Sequence, residues 1–263
     1  MPSCASLPGG RRGATLVEVG IVIAIVALVT GLLLAAAQRV RLVSRTAATA
    51  ADLRDLGAYV ALRATERRGE LPRSRHSGMN FAHPDRRFEI WGLEYFEHVG
   101  APGDYAVEAD RRAFVNDRLR SPFDPRTDAS EGYGINVYFE LRGDGDPDGP
   151  AETDDGAIWR RLGVIPAPAN TVLFAETGHP AASEGASPQP RDHFMAHFWS
   201  QLGSDTADEV RSEPASVLPL FCMLDGHVEP RLFTATFRRS PDGTVEIDHW
   251  NPATAGILEA LAP

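Results

Sequence analysis

The 263-residue sequence predicts an α+β fold, a long N-terminal helix packed on an antiparallel β-sheet. Three observations carry that expectation: an uncharged run from Val19 to Gln38, an amphipathic continuation to about Arg68, and strand-and-turn patterns in the C-terminal half. The uncharged run is dominated by Val, Ile, Leu and Ala. About 20 such residues, rising about 1.5 Å each, span roughly 30 Å, the thickness of a bilayer's hydrocarbon core. Beyond Gln38, Val43, Ala47, Ala50, Leu53, Leu56 and Val60 recur at three- and four-residue steps and form one helical stripe. Gly69 and Pro72 are the first strong helix breakers. One helix is therefore expected from Ala14 to about Arg68. Residues 14–38 would cross a membrane, residues 39–68 would lay the stripe on a globular domain, and residues 69–263 would form that domain.

Within 69–263 the sequence reads as strands and loops. Gly134 to Leu141 and Thr171 to Glu176 are strand candidates. Val217 to Leu224 and His227 to Phe233 flank Asp225-Gly226, a two-residue hairpin turn. Phe233 to Arg239 and Thr244 to Ile247 flank Pro241-Asp242-Gly243 and predict a second hairpin. Pro180 to Pro190 is rich in small residues and proline and reads as a loop.

Composition excludes some functions. The net charge is −10, from 36 acidic and 26 basic residues, and every basic residue is Arg. So acidic a chain is poorly suited to sequence-independent nucleic-acid binding, which needs a basic surface. There are two cysteines: Cys4 near the N-terminus, and Cys222 in an apolar run that reads as a buried strand. Removal of the first 13 residues would leave one cysteine and no intrachain disulfide.

The head of the apolar run holds the most specific pattern. Residues 1–13 are small, polar and basic and end Gly9-Gly10-Arg11-Arg12-Gly13; Ala14-Thr15-Leu16-Val17-Glu18 follows. The run is too long for an ordinary secretory signal, and the candidate cut lies before it, after Gly13. A carboxylate at the start of a membrane span is costly and needs a partner. Cleavage after Gly13 would create an amino terminus at Ala14, one helical turn from Glu18. In a bundle of such helices, Glu18 of one copy can pair with the terminal ammonium of another and so set register. Charge alone leaves orientation open, since Arg11 and Arg12 precede the run and Arg39, Arg41 and Arg45 follow it.

Gly13, Thr15-Leu16-Val17-Glu18 and the apolar run together resemble the cleavage and methylation motif of type IV prepilins and type II secretion pseudopilins. The resemblance implies a leader over 1–13, cleavage between Gly13 and Ala14 by a prepilin peptidase, methylation of the new terminus, and an assembly role for Glu18. Ala14 departs from the phenylalanine most common there. It also implies a leader in the cytoplasm, a single pass through the inner membrane and a periplasmic C-terminal domain. Leu220-Phe221-Cys222-Met223-Leu224-Asp225-Gly226-His227-Val228 is similar to a strand turn in the processing-associated branch of prepilin-like proteins, although Ala215 stands where that branch has histidine. The implied partners are other pilin-like subunits, the peptidase and the membrane.

Other residues suggest sites of their own. Counting Asp144 as position one, Asp146, Asp148, Glu152 and Asp155 fall at three, five, nine and twelve, with Gly149 at six and the Pro150 carbonyl at seven. That is the oxygen spacing of an EF-hand-type calcium loop, with Asp155 in place of the usual Glu; the alternative is a solvated acidic turn. His193 and His197 would share a face for zinc if helical, but no third ligand is evident, and an aromatic packing segment is the expectation. His76 and His83 flank a loop. Glu176, close to His179, suggests a catalytic pair against a strand end. No nucleophile elbow, phosphate loop or paired-cysteine pattern is present, so the chain is expected not to be an enzyme. The expected function is a structural fibre subunit. The rival is a membrane-anchored binding module for polysaccharide or protein, using exposed Trp91, Trp159, Trp199 and Trp250.

Overall fold

The computed structural model describes residues 15–74, 90–124, 132–140, 159–178, 192–199, 209–212 and 214–257. The chain divides into two compact units, residues 1–44 and residues 45–263. Helix α1 runs Leu16–Glu66, within two residues of the expected bounds. Every described residue from Thr15 to Arg41 is exposed.

In the second unit α1 buries Thr49, Leu53, Leu56, Gly57, Tyr59, Val60, Arg63 and Ala64, the three- and four-residue rhythm of one face. The stripe begins later than expected, because Val43 and Ala47 are exposed. The helix ends where Arg68 and Gly69 turn to positive φ (57° and 89°), and the Gly69 amide donates to the Ala64 carbonyl at 2.6 Å. A positive φ is cheap only for glycine, so the terminus sits at the breaker the sequence offers.

Two helices lie where only strands and loops are expected. α2 spans Trp91–His98 and α3 spans Glu108–Arg118. α2 exists through packing: Trp91 meets Phe174 edge-on at 5.2 Å, and its Nε1 donates to the Asp192 carbonyl at 2.9 Å. Glu94 on α2 is buried and accepts from Tyr59 at 2.8 Å and from Arg63, tying α2 to α1. α3 is locally encoded, with acids in its first turn and an Arg112–Glu108 ion pair at 2.8 Å.

The strands are β1 (Tyr133–Asn136), β2 (Val172–Glu176), β3 (His193–Phe194), β4 (Leu220–Met223), β5 (Val228–Pro230), β6 (Phe237–Arg239) and β7 (Val245–Asp248). The main sheet is ordered β3-β1-β2-β4-β5, and β6 and β7 form a separate pair. Pairing is antiparallel except between β1 and β3, so the sheet is mixed rather than wholly antiparallel. The first strand stops at Asn136, not Leu141, and Val137–Phe139 form a 3-10 turn. Asn136 causes the break. Its side-chain oxygen accepts from the Tyr138 amide at 3.1 Å, while its Nδ2 donates to Val172 at 2.9 Å and Trp250 at 2.7 Å. Both hairpins form, β4–β5 across Asp225-Gly226 and β6–β7 across 240–244, with Phe233–Ala235 a 3-10 turn before the second.

Helix and hairpin meet at Gly57. A Cβ built there would lie 2.8 Å from the Cys222 sulfur and 3.4 Å from the Gly226 Cα. Gly57→Val would therefore force α1 off the β4–β5 turn. Overpacking of this kind costs about 1–3 kcal/mol, against a helix-propensity gain of under about 1 kcal/mol. Thermal melting of the variant should show a drop of several degrees; an unchanged melting temperature would mean that the contact is loose.

Candidate functional site

The N-terminal helix is the site the sequence singles out. From Leu16 to Leu34 every large apolar side chain is exposed, and none of the span is buried in the structure. Successive helical residues point about 100° apart, so neighbours such as Ile21, Val22 and Ile23 cover all sides. A helix apolar all round cannot rest in water and is long and apolar enough to cross a membrane.

Thr15 and Glu18 cap its first turn. The Thr15 amide donates to Glu18 Oε2 at 2.8 Å, the Thr15 hydroxyl donates to the same oxygen at 3.0 Å, and the Glu18 amide donates to Thr15 Oγ1 at 3.3 Å. This is the reciprocal capping box of a threonine followed three residues later by glutamate. Sequence reasoning missed it, although Thr15-Leu16-Val17-Glu18 is the pattern that encodes it. Both bonds that Glu18 accepts fall on Oε2, so the carboxylate is held in one orientation, and among the described residues Oε1 has no donor.

Gly13, Ala14 and the acidic series Asp144, Asp146, Asp148, Pro150, Glu152 and Asp155 lie outside the described residues, as do His76, His83 and His179. Among the described residues no three His, Cys, Asp or Glu side chains are grouped to hold a metal. His193 and His197 do not share a helical face. His193 is in β3 and His197 in a 3-10 turn. His193 Nδ1 bonds the Asp192 carboxylate at 2.8 Å; burial alone would lower its pKa, but the Asp192 bond and charge, together with the Glu140 and Glu209 charges, outweigh burial and raise it.

The four tryptophans of the binding-module reading are core residues. Trp91, Trp199 and Trp250 are fully buried and Trp159 is 9% exposed. Trp250 stacks edge-on with Trp199 at 4.7 Å and Phe194 at 5.0 Å, so their area builds the interior instead of a surface. Glu176 is likewise structural. It is buried and accepts from Ser121 Oγ at 2.8 Å, Arg211 Nη2 at 2.9 Å and the Leu220 amide at 3.0 Å. Cys222 is fully buried, and burial, with Asp225 nearby, pushes its thiol up to about 12, away from nucleophilic chemistry. Comparison with models of known protein families, with curated proteins and with solved structures finds no match.

Proposed function

We propose that this chain is a structural, pilin-like fibre subunit. It would be cut after Gly13 by a prepilin peptidase and drawn from the inner membrane into a type II secretion-like or pilus-like fibre. One observation carries the reading: a helix apolar on every side, headed by a carboxylate fixed in its own first turn, with one oxygen unbonded among the described residues. Apolar packing between copies would remove that surface from lipid, and that oxygen of Glu18 would receive the Ala14 ammonium of a neighbour. The leader would lie in the cytoplasm and residues 69–263 outside it. The binding-module reading loses its residues, since its tryptophans form the core.

The test is the mature N-terminus of the full chain, purified from a host with a prepilin peptidase and read by mass spectrometry. A first residue of Ala14 is expected, with Gly13→Ala keeping the leader; Met1 retained on the wild-type chain would end the proposal. Glu18→Gln probes assembly. Gln can still serve the capping box but carries no charge for a neighbour's ammonium. Cross-linkable multimers should fall at least about tenfold if one buried ion pair of roughly 1.5 kcal/mol or more is lost; undiminished multimers would remove Glu18 from assembly.

A further inference from the structure

We propose that Arg39 and Arg41 grip anionic phospholipid headgroups at the far end of the apolar run. This deepens the membrane reading above and rests on it. Arg39 is the first charge after Glu18, and no acid occurs before Asp52. Both arginines are exposed, and neither has an ion pair or side-chain hydrogen bond among the described residues. On a helix two residues lie about 200° apart, so the pair reaches out on nearly opposite sides, with exposed Val40 between.

If Val19 to Gln38 fills the hydrocarbon, Arg39 and Arg41 stand at the level of the phosphates. Arginine lays its methylene stem along apolar surface and presents a planar fork that matches phosphate oxygens. A parallel second copy is the poorer occupant. Its nearest carboxylate beyond the run, Asp52, is eleven residues from Arg41, about 16 Å along the helix. Anionic lipid adds a net attraction that zwitterionic lipid lacks, about fivefold in local concentration per arginine near the surface.

The test uses the full chain in vesicles of phosphatidylcholine alone and of phosphatidylcholine with phosphatidylglycerol. Polymer-excised discs are assayed for the lipid ratio around the protein. Phosphatidylglycerol should be enriched several-fold over the bulk, and Arg39→Gln with Arg41→Gln should abolish the enrichment while membrane insertion persists. Insertion into phosphatidylcholine alone, read by flotation after an alkaline wash, reports the membrane reading separately, and its failure would sink that reading. Insertion with the same lipid ratio for wild type and double variant overturns the headgroup assignment. Lost self-association with an unchanged lipid ratio would assign the arginines to a second copy and overturn it too.

Discussion

Arg211→Met is expected to cost the second unit about 3–5 kcal/mol, because it strands the Glu176 carboxylate in the interior. The two side chains are 0% and 2% exposed. Arg211 also donates to the Leu218 carbonyl at 2.9 Å and the Val217 carbonyl at 3.3 Å, and its guanidinium sits 4.5 Å over the Phe123 ring. With Ser121 and the Leu220 amide on the same carboxylate, one ion pair joins the segment after α3, the end of β2, the stretch at 209–211 and the start of β4. Methionine fills comparable volume but leaves the carboxylate, among the described residues, with the neutral donors Ser121 and the Leu220 amide. For a unit of this size the melting temperature should fall on the order of 10 °C. Adding Glu176→Gln to Arg211→Met should return part of that loss, since no uncompensated charge is then buried. A double variant as unstable as the single would mean that packing, not charge, sets the cost.

The elements legible in the sequence are those encoded locally. The apolar run and its continuation gave α1, because hydrophobic period and breaker residues agree at Gly69. Asp225-Gly226 gave the β4–β5 hairpin, and Pro241-Asp242-Gly243 the β6–β7 pair, because both turns place glycine at positive φ. α3 is encoded just as locally: Glu108, Asp110 and the Arg112 pair mark a helix start inside a stretch expected to hold only strands and loops. α2 and the end of β1 were not legible. Trp91 finds its partners 83 and 101 positions away, in Phe174 and Asp192, and Asn136 breaks its strand by bonding Val172 and Trp250. No local window contains those contacts. At the candidate site the apolar helix is legible in the run itself, and the Thr15 cap is encoded in the same four residues, Thr15-Leu16-Val17-Glu18.

Asp248→Asn is expected to stabilise the protein at pH 8 and to lose that advantage toward pH 4. The Asp248 carboxylate closes the turn after β7, accepting from the Trp250 amide at 2.9 Å and the Asn251 amide at 3.0 Å. No cation among the described residues bonds it; the neighbouring His249 ring instead meets the Asn170 carbonyl at 2.7 Å and Arg231 at 3.2 Å. Burial pushes its pKa up to about 7 from 3.8, and the two amides offset only part of that. A carboxyl raised in the folded state favours folding when protonated. Its contribution is complete below the unfolded value and is lost as pH rises through about 7. A rise of that size corresponds to about 4 kcal/mol between the two ends of the range. Asparagine presents the same acceptor to both amides without a charge to desolvate, so its stability should vary little over this range. Asp248→Ala separates the two effects. It removes the acceptor as well as the charge, leaves two buried amides without their bonds, and should cost about 1–3 kcal/mol relative to the asparagine variant at every pH. Melting curves of the three proteins from pH 4 to pH 9 decide the matter. Parallel curves for wild type and Asp248→Asn would show that the carboxylate does not titrate in this window. If instead the curves separate with rising pH, ionisation of Asp248 works against the turn that holds Trp250 in the aromatic core.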